Sequence, residues 1–162
     1  MAAASPAVPM ATTRQAMSAM AGAPGVDRVF EAYLAMQKAL GATQQGDAPV
    51  DVAKLIEAAR AIAKESSFAR VVETAAAMQG KPIAEQRNLF KALSDAVIAV
   101  ARSDPPSAAV APKLYVAYCP MAPGDGGRWL QTTQEIANPY FATRMKECGS
   151  IEQALATAPA RK

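Results

Sequence analysis

The sequence predicts an all-α fold: an antiparallel helical bundle with an irregular, aromatic-rich C-terminal segment packed on it. Two observations carry that expectation. Ala-rich, Gly-poor stretches with scattered Glu, Gln, Lys and Arg favour helix. Four apolar stripes also recur at three-to-four-residue spacing, separated by short turns, which is how a bundle is written. At 162 residues the chain suffices for one compact domain with a real core.

Residues 1–25 carry Pro6, Pro9, Pro24 and Gly25 among small polar residues and read as a flexible arm that buries too little to offset chain entropy. Within it, Arg14 to Ala21 can form a transient turn that aligns Met17 and Met20, with Met10 further back. The bundle is expected over 26–104. Val26, Val29, Phe30, Tyr33, Leu34, Gln37 and Leu40 make the first stripe, with Asp27 near its N-terminus and Gly41 near its end. Gly46-Asp47-Ala48-Pro49 turns the chain into Val52, Leu55, Ile56, Ala59, Ile62 and Ala63. Ser66 and Ser67 open the third stripe, Phe68, Val71, Val72, Ala75 and Met78. After Gly80-Lys81-Pro82 comes the clearest stripe: Ile83, Gln86, Leu89, Phe90, Leu93, Val97 and Val100. Asp104-Pro105-Pro106 stops it.

From 105 to 151 the character changes. Lys113 to Cys119 (KLYVAYC) alternates and is rich in Tyr and Val, the pattern of a short strand or extended segment. Pro123 to Gly127 is a loop, and Asn138-Pro139 a turn. Trp129, Leu130, Ile136, Tyr140 and Phe141 supply anchors that pack this segment on the bundle. Residues 152–162 read as a tail.

Composition removes several function classes. The net charge of +3 is spread thinly, without a basic run interleaved with aromatics, so no nucleic-acid partner is expected. No stretch approaches the ~20 apolar residues of a membrane span. The first residues lack a basic-then-apolar leader and resemble a mature tail left after signal removal. There is no histidine, so the usual imidazole ligand and general base are missing. Gly124-Asp125-Gly126-Gly127 lacks the Lys-Ser/Thr of a phosphate loop. Glu85 and Arg87 suit surface pairs or a structural hydrogen bond better than a catalytic set. No enzyme is expected.

What remains is sulfur. Both cysteines sit near methionines, in Cys119-Pro120-Met121 and Met145-Lys146-Glu147-Cys148. Thiolate and thioether favour soft cations such as Cu(I) and Ag(I). In an extended chain residues two apart share a face, which would align Cys119 with Met121. A helical turn would align Met145 with Cys148. Cys119, Met121, Met145 and Cys148 are therefore the candidate metal ligands, with Trp129 as candidate shield over the site.

The run YCPMAPGDGGRWLQTTQEIANPYFATRMKECGSI resembles the ending of a bacterial domain family of unknown function. That domain occurs alone in exported proteins and fused to periplasmic adaptor subunits of copper/silver efflux pumps. Gln86-Arg87, Phe90 and Leu93-Ser94 are similar to the family's second signature. The resemblance covers roughly residues 26–151. Gln131 stands where the family usually has Ser, and Ala142 where it usually has Gly. The resemblance implies a helical periplasmic domain, exported on a signal peptide not contained in this sequence. It also implies copper or silver handling beside a copper/silver efflux component.

Three readings stand for the cysteine pair. It holds one Cu(I) or Ag(I) together with the methionines. Alternatively, a Cys119–Cys148 disulfide staples an envelope interaction module without a metal role, contributing ~3–4 kcal/mol on the chain-entropy estimate. In the third, the disulfide opens on reduction and then takes the metal. Zinc fits poorly, since Cys2Met2 without His is not a zinc set.

Overall fold

The computed structural model describes residues 21–44, 46–64, 66–141 and 145–160. Four helices come first: α1 (Pro24–Ala42), α2 (Ala53–Ile62), α3 (Ser66–Met78) and α4 (Ile83–Ser103). Three strands follow: β1 (Leu114–Cys119), β2 (Gly127–Gln131) and β3 (Ser150–Leu155). The fold is mixed α/β, which corrects the all-α expectation. The strands form one antiparallel sheet in the order β2-β1-β3.

The physical reason for the difference lies in β2 and β3. Gly127-Arg128-Trp129-Leu130-Gln131 is short and buries three successive residues, so it shows no alternation. Ser150-Ile151-Glu152-Gln153-Ala154-Leu155 carries helix-favouring residues and forms a largely exposed edge. Pairing to β1 overrides its local preference. A bulge at Val116/Ala117 adjusts the register. β3 runs past the expected start of the tail at 152, and Ala158 makes a further bridge to Ser107.

The helices form where the apolar stripes run. Proline opens α1, where its missing N–H is harmless. Val26, Val29, Phe30, Tyr33 and Leu40 of α1 are fully buried, as are Phe68, Val71, Ala75 and Met78 of α3 and Phe90, Leu93 and Val97 of α4. Burying each large side chain stabilises the fold by about 1.5–3 kcal/mol. Helices adjacent in sequence pack together, α1 on α2, α2 on α3 and α3 on α4, while β2 lies against α4 and α1. Asp27 does more than face the helix N-terminus: its carboxylate accepts the Ser107 backbone N–H and hydroxyl, both at 2.7 Å. Nearby, the Gly22 N–H donates to the Pro105 carbonyl at 2.9 Å. Residues 21–25 thus touch the domain, and Met10, Met17 and Met20 lie outside the described residues.

The Gln-Arg-x-x-Phe and Leu-Ser residues of α4 are joints between elements. Gln86 is fully buried and exchanges hydrogen bonds with both backbone groups of Val50, while also donating to the Met78 carbonyl. The Arg87 guanidinium donates to the Leu40 and Thr43 carbonyls at 3.3 and 2.7 Å, closing the C-terminal end of α1. Glu85 makes only a surface pair with Lys81 at 3.2 Å. Phe90 stacks on Tyr33 with centroids 5.5 Å apart. Ser94 shares a 2.8 Å hydrogen bond with the Tyr33 hydroxyl, which also accepts the Leu130 N–H of β2. One tyrosine therefore links α1, α4 and the sheet.

Candidate functional site: a paired dithiol at the end of the sheet

Cys119 is the last residue of β1 and is fully buried. Directly opposite it on β2 is Gly127. Strand alternation puts Cys119 and Ala117 on one face with Gly127 and Trp129. A residue larger than glycine would not fit at 127, because a Cβ there would stand 2.8 Å from the Tyr140 ring. Tyr140 is held over this spot by its hydroxyl, which donates to the Arg128 carbonyl at 2.6 Å. Its ring meets Trp129 and Phe90 edge-on, at 5.9 and 5.7 Å.

Cys148 reaches the same place from the segment before β3. The two sulfurs stand 2.9 Å apart, closer than non-bonded sulfurs ordinarily sit, with no disulfide bond between them. Cys148 is half-buried, so the pair has one inner and one outer sulfur. A short turn presents it, with the Cys148 N–H donating to the Met145 carbonyl at 3.0 Å. Asn138 secures that turn. Its backbone N–H donates to the Lys146 carbonyl at 2.7 Å and its side-chain amide to the Cys148 carbonyl at 2.8 Å. Its side-chain oxygen accepts the Tyr140 N–H at 2.8 Å, so this fully buried amide is satisfied on both ends.

Gly149 follows in a conformation that L side chains rarely adopt, with φ +130°. A Cβ there would lie 2.7 Å from the Tyr118 carbonyl oxygen and 3.1 Å from the Trp129 ring. Trp129 is fully buried and lies close beside Gly149, the residue that follows Cys148. Its indole N–H donates to Gln131 at 2.9 Å. Gln131 also accepts the Ala137 N–H and donates to the Thr133 and Glu135 carbonyls, ordering the loop that leads to Asn138. The glutamine at 131 is thus the loop's organising side chain. Ala142 lies outside the described residues.

The methionines are placed unequally. The chain turns immediately after Cys119, where the Ala122 N–H donates to the Cys119 carbonyl at 3.3 Å. That turn breaks the extended geometry expected to align Met121 with Cys119, and Met121 is 64% exposed. Its backbone N–H favours the Cys148 thiolate. Met145 is half-buried, three residues before Cys148 in the turn. Among the described residues no group of three or more His, Cys, Asp or Glu side chains could hold a metal. A soft ion here would rest on the two thiols first.

The hydrogen bond to Cys119, with some burial, pushes the Cys148 thiol above its ordinary value, and the Met121 N–H pulls the other way. Burial pushes Tyr33 and Tyr140 far above the ordinary phenol range, so both stay protonated as hydrogen-bonding partners. Among the described residues no helix is long and apolar enough to cross a membrane.

Comparison of the chain with models of known families, with curated proteins and with solved structures found no match. The sequence reading had named Cys119, Cys148 and Trp129 for the site, and Asn138 only as part of a turn. Missing from that reading was the linking role of Gln131, whose only signal was a polar residue directly after Trp129-Leu130.

Proposed function

We propose that the protein is a periplasmic soft-cation carrier that takes Cu(I) or Ag(I) as cargo on the Cys119–Cys148 pair. One observation carries the reading: the only two cysteines, 29 residues apart in sequence, bring their free sulfurs to 2.9 Å in a protein without histidine. Two soft donors and no imidazole select monovalent soft ions over zinc. Met145, half-buried in the turn that presents Cys148, is the thioether placed to add a third sulfur. Met121, exposed at the rim, suits contact with an incoming or departing ion. Export and service to a copper/silver efflux component rest on the resemblance of the Cys-Pro-Met and Met-x-x-Cys-Gly motifs. The test is Cu(I) titration of the reduced protein against a competing chelator, read by native mass spectrometry. A single copper adduct that Cys119→Ser abolishes supports the reading; an adduct that survives this change refutes it.

A second reading is favoured by the exposure of Met121 and the burial of Cys119. The pair would serve as a staple that fixes the segment before β3 to the end of β1 in an envelope interaction module. Reduced protein that takes up no Cu(I), but loses stability on reduction, would select this reading.

A further inference from the structure

We infer that the dithiol exchanges with low-molecular-weight disulfides in a fixed order, with Cys148 attacking first and Cys119 resolving the mixed disulfide. This rests on the pairing of the two thiols and not on the metal. Three features carry it. Cys119 is fully buried at the end of β1, beyond the reach of an external disulfide. Cys148 is half-buried on an irregular turn, so it is the sulfur that an incoming disulfide can reach. The inner sulfur touches the outer one at 2.9 Å, so any adduct on Cys148 is already within reach of Cys119.

The chemistry balances without another group. The Cys148 thiolate, its proton lost to solvent, attacks one sulfur of a disulfide RSSR. The Cys148–SR bond forms, the RS–SR bond breaks, and the leaving thiolate takes up a proton as RSH. Cys119 then loses its proton and attacks the Cys148 sulfur. The Cys119–Cys148 bond forms, the Cys148–SR bond breaks, and a second RSH departs. The two cysteines give up two electrons and the disulfide accepts them. Asn138 and Gly149 hold Cys148 in line for the second step, because they fix the backbone on both sides of its carbonyl.

The experiment uses the full chain, reduced, with glutathione disulfide as probe and intact mass as readout. Cys119→Ser should accumulate one glutathione adduct, on Cys148. The unmutated chain should pass to an internal disulfide, with loss of two hydrogens and little trapped adduct. Cys148→Ser should react at least about ten-fold more slowly, since a buried thiol is poorly accessible to exchange. A brief iodoacetamide pulse on the unmutated protein reads the same order without relying on a variant's fold, and should label Cys148 about ten-fold over Cys119. Equal labelling of the two sulfurs, or two stable glutathiones on one chain, overturns the inference. Failure of the copper titration leaves it standing, and equal labelling overturns it whatever the copper titration gives.

Discussion

The side-chain amide of Asn138 donates to the carbonyl of Cys148 at 2.8 Å, so a fully buried residue ten positions upstream sets where the outer sulfur stands. Replacing it with Ala leaves the Cys148 carbonyl and the Tyr140 N–H without partners. That should cost about 1–3 kcal/mol for each group left buried. In urea melts the midpoint should fall, and the Cys119 sulfur should become easier to alkylate. Unchanged alkylation would mean that the turn holds itself.

Gly149→Ala tests the close approach beneath Trp129. A methyl group there meets the Tyr118 carbonyl, and the backbone conformation is costly for any L side chain. The expected loss is about 1–3 kcal/mol or more, with Trp129 fluorescence shifted as the ring moves. A variant as stable as the parent would show that the segment before β3 adapts freely.

Phe90→Ala tests the centre of the fold. Phe90 is fully buried between Tyr33 and Tyr140, so its removal should cost about 3–5 kcal/mol. A loss below ~1 kcal/mol would place this face outside the close-packed core.

Met121→Leu and Met145→Leu divide the thioethers. Volume is nearly conserved, so both variants should fold. Met145→Leu should weaken Cu(I) retention by the reduced protein in chelator competition. Met121→Leu should leave retention nearly unchanged and slow transfer to the chelator. Identical behaviour of both variants and the parent would reduce the site to its two thiols.

The thiols give a pH signature. Cys148 is raised above the ordinary thiol value by its hydrogen bond with Cys119, so less thiolate is present at neutral pH. Its alkylation rate should therefore climb at a pH above the ordinary ~8.5 of a free thiol. Cys119→Ala removes the main cause of the rise, so the profile should move to lower pH. No movement would mean that burial, and not the partner sulfur, holds Cys148 neutral.

The four helices were legible because their apolar stripes have helical period, and β1 because LYVAYC alternates with β-branched and aromatic residues. β3 was hidden: Glu152, Gln153 and Ala154 speak for helix, and only hydrogen bonds to β1 make them a strand. The meeting of Cys119 and Cys148 was legible as a pairing of scarce residues. The outward placement of Met121 was not, because the turn at Pro120 lies between extended and helical rules. Arg87 illustrates another limit. A charged residue beside an apolar stripe gives no sign that Leu40 and Thr43 will present their carbonyls to it.

The order of elements along the chain has a consequence for how the protein matures. The helices dock on their sequence neighbours, whereas β1 must find a partner as distant as Leu155, which Leu114 faces across the sheet. Local contacts close quickly and distant strand pairing closes late. The two sulfurs therefore come together only near completion of the domain. Until then an oxidant finds two separated thiols, each open to bonding with another molecule. Correct internal closure is thus a timer on assembly: a chain that carries it has already built its sheet.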